Sequence, residues 1–503
     1  MTGAAARRTA LAVLAAGAAF RLAVAAIMPL GLDEAYAVAV ARDFSLAFFD
    51  HPPLGFWAGV ALPAVTGWEH PLAYRLPAVV LGTVTGVAVW RLGVILAGPL
   101  AGVWAAVLYV LTPHMVLGSG LMVVPDAPMN AALSWLAVLL VRMAGVEAPP
   151  PLRLWLAAGA LFALALASKL QAGLAALAVL GWLASDPLRR QWLATAGPWV
   201  GAAVGIAGLA PTLVWNAANG WPSFGFHGAR VTFAADPGNL AAMAAGQLVY
   251  LLPPVAVLAV LGLARAGRWG PAGRALRWLA AVPLAVFALV FLFGTYTFPH
   301  WTMQGWLMAL PLAAAWTAGA GARAAARARA WLAGFAGFGW GLALIALTHL
   351  PTGLLTRGMD RPPEWDSTVG LFDWRAAVPV LAAEGWLEGA ALLLSDAWID
   401  AGLMDTALGG ALPVRVEGGR AAAHHFAFLP GAAATGPALY LSPGALAEGP
   451  ARLAAGLALA ARKGLAVERA GIVTLPRGGR PHAAVAALRV TLPSRAPATP
   501  APP

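Results

Sequence analysis

The chain has 503 residues, of which 60% are hydrophobic and 11% charged, whereas soluble domains are about one-quarter charged. The formal net charge is +11 and cysteine is absent, which excludes disulfides, thiolate metal sites and cysteine nucleophiles. The arginines gather in short loops between apolar stretches, a pattern that indicates membrane orientation rather than nucleic-acid binding. The composition therefore predicts a polytopic, all-α membrane protein.

Apolar stretches long enough to cross a bilayer recur over the first 350 positions. The first follows Arg7-Arg8 and is interpreted as a retained helix, because no small-residue cleavage site precedes a polar domain. The positive-inside rule then places the N-terminus in the cytoplasm and everything after Leu350 outside. The eleven predicted spans are 10–30, 77–97, 99–118, 127–144, 154–170, 171–186, 192–212, 241–263, 278–295, 303–320 and 331–350.

The first external loop, residues 31–76, begins with the acidic pair Asp33-Glu34. Charge at a membrane boundary is costly and is usually functional. Asp33 suits a general base whose neighbour Glu34 tunes or orients it, while the alternative is a solvated pair at a helix N-terminus. Segment 33–49 is amphipathic and is predicted to lie along the interface, ending before Asp50-His51-Pro52-Pro53.

Two further ionisable residues stand at predicted span ends. Asp126, in VPDAP, could pair with a cation or bind a sugar, or could simply cap the helix before Pro128. Lys169 is one of two lysines beside thirty arginines. It could bind an anion, or it could be a lysine that snorkels to the interface.

The later external loops mix aromatic and polar residues. Single interfacial tryptophans are usually membrane-belt residues, but their combination with histidine and asparagine is less common. The candidate substrate contacts in these loops are Asn216, Trp221, His227, His300 and Trp301.

After Leu350 the long apolar runs stop and turn residues increase. Short strand-like pieces at 438–442 and 485–491, and a strand-then-helix pattern in ALLLSDAWIDAGLMDTALG, predict a small external α/β domain over 351–493. The transmembrane domain is predicted over 1–350. The Pro/Ala-rich tail, 494–503, is predicted to be disordered.

The motifs DEAY, FFDHPPLGFW, YRLPA, VPDAP, ALASK, WNAANGWPSF and PHW follow one another along residues 30–320. This order resembles the bacterial polyprenyl-phosphate-sugar glycosyltransferases of the GT-C class. The nearest likeness is to glycosyltransferase family 39, which is protein O-mannosyltransferase-like, and the next is to the lipid A aminoarabinose transferases. ASKL, residues 167–170, stands where these families more usually have LSKY, and His51 stands where the aminoarabinose transferases have lysine.

The resemblance implies a GT-C fold and inverting transfer of a sugar from a polyprenyl phosphate to a lipid, glycan or protein acceptor. The reaction would take place on the periplasmic face of a bacterial inner membrane. Asp33 would deprotonate or align the acceptor, with Glu34 in support. The leaving phosphate needs cationic stabilisation, for which the candidates are His51, Arg75 and Lys169. Asp50 and Asp126 join the candidate substrate contacts.

No cofactor is expected, although Asp50 with His51, His227 or His300 could hold a divalent metal ion. The alternative function is a transporter or flippase of a lipid-linked solute, which the many helices would also suit. Polar residues concentrated on one face, and the lack of an evident inverted repeat, favour the transferase.

Overall fold

The computed structural model describes residues 2–229, 234–294, 297–357, 359 and 366–492. The predicted tail, 494–503, lies outside them. By Cα proximity the chain forms two compact units. Unit 1 comprises residues 1–25, 45–59 and 75–341, and unit 2 comprises 26–44, 60–74 and 342–503. The chain thus enters unit 2 three times, the last time after Gly341.

The first 352 residues are almost entirely helical. The helices are α1 (Gly3–Ile27), α2 (Leu32–Ala41), α3 (Leu54–Thr66), α4 (Pro71–Leu111), α5 (Asp126–Ala144), α6 (Leu152–Leu166), α7 (Leu174–Ser185), α8 (Ala196–Ile206), α9 (Ala210–Asn219), α10 (Pro222–Gly228), α11 (Pro237–Leu251), α12 (Pro253–Ala264), α13 (Gly270–Phe293), α14 (Met303–Gly319) and α15 (Ala322–Thr352).

Among the described residues, six helical segments are long and apolar enough to cross a membrane. A seventh span is added if α11 and α12, bent by 104°, count as one. The protein is therefore a multi-pass integral membrane protein, as the composition predicts. The six segments are 3–27, 71–111, 126–144, 196–219, 266–293 and 323–352.

The count is lower than the eleven predicted spans in part because α4 is counted once. The backbone of α4 is non-helical at Ala97 and Gly98, directly before Pro99, where the predicted spans 77–97 and 99–118 meet. The spans predicted at 154–170 and 171–186 are the short helices α6 and α7. The α11–α12 bend falls at Leu252, which precedes two prolines that cannot donate helical hydrogen bonds.

The first external loop is helical over a shorter stretch than predicted. Helix α2 ends at Ala41, so the predicted segment 33–49 is helical only in its first half. Non-helical chain follows until Pro53, and α3 begins at Leu54.

Unit 1 has a continuous apolar core. Small residues allow close helix contacts: a Cβ at Gly159 of α6 would lie 2.4 Å from the carbonyl oxygen of Gly201 in α8. The core draws on α4, α5, α7, α12 and α14, with Leu92, Leu136, Trp182, Leu258 and Leu310 among its buried residues.

Unit 2 contains the predicted α/β domain. Its strands are β1 (Leu392–Ser395), β2 (Val414–Val416), β3 (Gly436–Ala445), β4 (Ala466–Arg477) and β5 (Arg480–Leu492). They form one mixed sheet in the order β2-β1-β3-β5-β4. Strand β1 pairs in parallel with β2 and β3, whereas β5 pairs antiparallel with β3 and β4. The remaining helices are α16 (Ala377–Ala383), α17 (Trp398–Ala407), α18 (Arg420–Ala423) and α19 (Gly449–Lys463).

Helix α2 packs directly on α17 inside unit 2. Gly402 of α17 permits this approach, since a Cβ there would lie 2.8 Å from the backbone N and Cα of Tyr36. The Tyr36 ring contacts Trp398 edge-on at 4.9 Å, and its hydroxyl accepts a hydrogen bond from the His425 backbone N–H. The acidic pair on α2 is therefore held by the α/β domain.

Candidate active site

A buried ion pair joins the ends of two helices in unit 1. Lys169, just after α6, donates from Nζ to Oδ2 of Asp126 at the start of α5, at 2.8 Å. Both side chains are at least nine-tenths buried. A lone buried charge in an apolar bundle is costly, so each residue here compensates the other. The two candidate residues thus lie together, although 43 positions separate them in the sequence.

Two histidines lie beside this pair. His114 opens a five-residue π-helical turn, His114–Gly118, a rare geometry that is frequent at functional sites. Its ring stacks on that of His300, with centroids 5.9 Å apart and planes 14° from parallel. Tyr250 contacts both rings, at 5.5 and 6.3 Å. His114, His300, Asp126 and Lys169 together form what we call the ion-pair cluster.

His300 is neutral at physiological pH. Burial, followed by the positive charge of Lys169, lowers the pKa of His300 to about 3. Asp126 opposes this shift without overcoming it. His300 can therefore donate or accept hydrogen bonds, but the cation of the cluster is Lys169.

The Asp50-His51-Pro52-Pro53 segment docks onto the chain next to this cluster. The Leu54 backbone N–H donates to the carbonyl of Ala167, two residues before Lys169, at 2.9 Å. A Cβ at Gly55 would lie 2.5 Å from Cα of Pro125, the residue before Asp126. The sequence folds this way locally because Pro52-Pro53 end the irregular segment and start α3.

His227 ties the α9–α10 region to this segment. Its Nε2 lies 3.0 Å from the Asp50 carbonyl oxygen, so the tautomer with the proton on Nε2 donates there. His51 Nε2 lies 3.7 Å from Asp50 Oδ2, and both side chains are partly exposed. The structure thus brings Asp50, His51 and His227 together.

The other unit 1 candidates have different surroundings. Arg75 is fully buried in the first turns of α4. Asn216 is also fully buried; its amide donates to the Thr212 carbonyl and accepts from the Ser223 N–H, so it holds the α9–α10 turn.

The two candidate tryptophans differ in exposure and contacts. Trp221 is about half exposed and in the left-handed region, with φ of 59°. Trp301 packs against Phe287 and Phe298, each with ring centroids 6.0 Å away.

The acidic pair Asp33-Glu34 lies in unit 2. Glu34 is fully buried, and its Oε2 accepts a hydrogen bond from the Gly31 N–H at 2.9 Å, which caps α2. Asp33 is exposed in the first turn of the same helix. The partial positive charge of a helix N-terminus stabilises a carboxylate, which suits a base that must be ionised at rest.

No group of three or more histidine or acidic side chains positioned to hold a metal ion occurs within the part of the chain that the structure describes. The Asp50–His227 contact uses the backbone carbonyl of Asp50 rather than its carboxylate.

Several polar residues of the bundle interior were not found from the sequence. His114 was overlooked because a single histidine in an apolar stretch carries no motif. One turn into α5 from Asp126, the Asn130 amide is buried, and neither of its polar atoms has a hydrogen-bond partner among the described residues. Gln304 Oε1, at the start of α14, is also buried and has no hydrogen-bond partner among the described residues. The sequence signal that could have identified Asn130 was its position four residues after Asp126, one helical turn away on the same helix face.

A separate cavity of ≈ 790 Å³ lies between α5, α6, α7 and α8. Its lining is apolar, including Leu136, Trp155, Phe162 and Trp199. It lacks the charged groups that the transfer chemistry needs, so we place the candidate active site at the ion-pair cluster rather than in this larger cavity.

Comparisons with known proteins agree with this architecture. Residues 50–215 match the family model described as dolichyl-phosphate-mannose-protein mannosyltransferase. No curated protein sequence matches the chain significantly. The crystal structure of ArnT from Cupriavidus metallidurans in the apo state is 13% identical, with a TM-score of 0.60 over 94% of this chain and 97% of that chain.

The structure of the same ArnT bound to undecaprenyl phosphate gives a TM-score of 0.56 at 13% identity, with the same coverage of both chains, 94% and 97%. The archaeal oligosaccharyltransferase AglB from Archaeoglobus fulgidus, in complex with an inhibitory peptide and a dolichol-phosphate, is 11% identical. Its TM-score is 0.43, over 86% of this chain and 69% of that chain. Residues 50–215 thus match the model of the dolichyl-phosphate-mannose-protein mannosyltransferase family, and the chain has the GT-C fold that ArnT shows.

Proposed function

We propose that this protein transfers a sugar from a polyprenyl phosphate to a hydroxyl or amine of a lipid, glycan or protein acceptor. Asp33 takes the proton from the acceptor, whose freed electron pair attacks the anomeric carbon from the face opposite the phosphate. The bond between that carbon and the phosphate oxygen breaks, and the electron pair leaves with the polyprenyl phosphate. The sugar is therefore transferred with inversion.

The observation that carries the proposal is the buried Lys169–Asp126 pair beside the Asp50-His51-Pro52-Pro53 segment. A lysine buried beside a carboxylate in an apolar bundle is suited to a phosphate that gains charge as its bond to the sugar breaks. Arg75 and His51 are proposed as further phosphate contacts. Asp50, Asp126, His227 and His300 are proposed to contact the sugar or orient the phosphate contacts.

Trp221, Trp301 and Asn216 have weaker support as substrate contacts. The exposed Trp221 ring can stack on a sugar or a lipid. Trp301 lies next to His300 in the chain. Because both polar ends of the Asn216 amide bind backbone groups, we propose that it acts by shaping the α9–α10 turn.

The structure of ArnT with undecaprenyl phosphate supports a polyprenyl phosphate as the donor lipid. The distribution of arginines supports an N-terminus in the cytoplasm and a unit 2 outside. We accordingly place the reaction on the periplasmic face of a bacterial inner membrane.

The direct test uses the full-length protein in nanodiscs with a panel of radiolabelled polyprenyl-phosphate sugars and membrane lipid extract. We expect one donor to be cleaved, so that free polyprenyl phosphate accumulates as label enters an acceptor fraction. A transporter would move the intact donor across the bilayer without cleaving it. Donor that stays intact across the whole panel would contradict the proposal.

A further inference from the structure

A partly open cavity lies within unit 2, and none of the ion-pair cluster residues lines it. Three aromatic residues and three charged residues contribute to its wall: Tyr74, Phe372, Trp374, Glu69, Asp373 and Arg375. Of these residues only Tyr74, the first residue of YRLPA, belongs to a motif of the sequence.

Trp374 gives the cavity an unused hydrogen-bond donor. The residue is 5% exposed, and its indole N–H has no hydrogen-bond acceptor among the described residues. Buried indole N–H groups normally find a partner. Phe372 holds the ring edge-on, with centroids 5.0 Å apart.

The charged groups on the wall are paired with one another or with neighbouring residues. Asp373 accepts two hydrogen bonds from the Arg375 guanidinium, each at 2.8 Å. Glu69 accepts from Arg42 Nη2 at 2.7 Å and also from the Tyr74 hydroxyl. Arg42 is in turn paired with the buried Asp405 of α17. Planar carboxylates and a guanidinium held in this way can each bind two neighbouring hydroxyls.

The cavity adjoins the helix that carries the proposed base. Pro29 and Leu30 belong to its wall, and α2 begins at Leu32, one residue before Asp33. Leu403 and Thr406 of α17, the helix on which α2 packs, line another side. A molecule in this cavity would therefore contact both elements that position Asp33.

We propose that this cavity binds a pyranose ring of the acceptor, and that it determines which glycan-bearing acceptor presents its nucleophile to Asp33. This inference rests on the proposed function. Aromatic faces can cover the C–H face of a pyranose, while Glu69, Asp373, Arg375 and the Trp374 N–H can bind its hydroxyls. A site built to bind hydroxyls discriminates strongly against molecules that lack them.

The test is saturation-transfer-difference NMR on the full-length protein in nanodiscs, with methyl pyranosides of glucose, mannose, glucosamine and N-acetylglucosamine as probes. We expect ring-proton signals from at least one pyranoside with the wild type. Asp373→Asn and Trp374→Phe, which keep the shape of the cavity, should each weaken binding by about tenfold, as expected for one lost hydrogen bond.

Arg462→Gln is the matched control, because Arg462 is exposed on α19 of the same unit and does not line the cavity. It should bind like the wild type, and all variants should melt at the same temperature. Equal binding by the wild type and both cavity variants would overturn the proposal. So would binding of a serine- and threonine-containing peptide with no binding of any pyranoside.

The binding readout does not depend on donor chemistry. Asp33→Asn should bind the pyranosides normally, since Asp33 is not among the cavity residues. If no donor is cleaved in the transfer assay but the pyranosides bind, the proposed function fails and the saccharide site stands. If a donor is cleaved but no pyranoside binds, the proposed function stands and the saccharide site fails.

Discussion

We expect the Lys169–Asp126 ion pair to affect both the stability and the activity of the protein. Removing one member of a buried ion pair leaves an unpaired charge and costs about 3–5 kcal/mol. We therefore expect Lys169→Met to lower the free energy of unfolding by about that amount, as measured by thermal melting in nanodiscs. The double variant Asp126→Leu/Lys169→Met should regain most of this stability, because no buried charge is left.

Activity separates the two roles of the pair. If Lys169 stabilises the leaving phosphate, the refolded double variant should still transfer sugar at least about a hundredfold more slowly than the wild type. Full activity of the double variant would show that the pair is purely structural. Arg274→Met is a control, since the partly exposed Arg274 pairs with Asp186 at 2.9 Å but Asp186 keeps Arg189 as a second partner, so its loss should cost less than that of Lys169.

His300 gives a pH dependence whose sign follows from its lowered pKa. The unfolded chain has a histidine pKa of about 6.5, whereas the folded value is about 3. Between these values the unfolded state binds more protons, so stability is full above pH 6.5 and is lost as the pH falls towards 3. His300→Gln should melt with a shallower pH slope than the wild type over this window.

Other buried histidines also make the stability depend on pH, equally in the wild type and in His300→Gln. Burial also lowers the pKa of His425 to about 3, and this contributes the same slope to the wild type and to His300→Gln. Identical slopes in the two proteins would mean that His300 is not held neutral in the folded state.

At the scale of single residues, the sequence was informative where charge interrupts an apolar stretch. Lys169 and Asp126 could be identified in this way, but their pairing could not, because it depends on how α5 and α6 end in space. His114 and Asn130 were missed, since neutral polar residues in a helix resemble ordinary core positions. Trp374 was missed because its importance comes from an unpartnered N–H, which no sequence pattern records.

At the scale of elements, we expect the close contact between α2 and α17 to set the position of α2. An alanine at Gly402 would place a Cβ 2.8 Å from the Tyr36 backbone, so one helix must move. We expect Gly402→Ala to destabilise the protein by about 1–3 kcal/mol and to reduce transfer by displacing α2. The acceptor-dependent rate and the melting temperature are the measurements.

Gly339→Ala is the control, because a Cβ at that helical position meets nothing within 4 Å. Replacing an unhindered helical glycine should leave stability unchanged or slightly raised. Wild-type activity and melting of Gly402→Ala would mean that the helices can separate without consequence, and that the α2 position is not set by this contact.

The sequence predicted element type better than element ends. The strands predicted at 438–442 and 485–491 lie inside β3 and β5, because alternating apolar residues mark strands locally. The spans predicted at 77–97 and 99–118 correspond to the two helical parts of α4, which meet at the non-helical residues Ala97 and Gly98 directly before Pro99. Helix α2 is shorter than its amphipathic pattern suggested, and nothing in the pattern marks Ala41 as its end.

At the scale of the whole molecule, membrane orientation can be tested simply because the chain has no cysteine. Arg462→Cys in unit 2 and Arg190→Cys after α7 each introduce one exposed thiol. We expect a membrane-impermeant maleimide applied to spheroplasts to label the first variant and not the second. The opposite labelling pattern would reverse the orientation that the arginine distribution predicts.

The fold of the protein could be inferred from the order of its motifs DEAY, DHPP, VPDAP and ALASK, although ArnT, whose fold it shares, is only 13% identical. Substrate choice could not be inferred, because the cavity that we propose for the acceptor is assembled from three separate stretches around residues 29, 70 and 372–375, joined by α17. Such a surface exists only after folding.

The measurement that tests the central claim most directly is donor cleavage by Asp33→Asn in nanodiscs, with Asp43→Asn as the control. Both aspartates are exposed, and Asp43 follows the end of α2. We predict that Asp33→Asn folds normally and transfers sugar about 10²–10⁴-fold more slowly, while Asp43→Asn matches the wild type. Unchanged transfer by Asp33→Asn would contradict the assignment of Asp33 as the base.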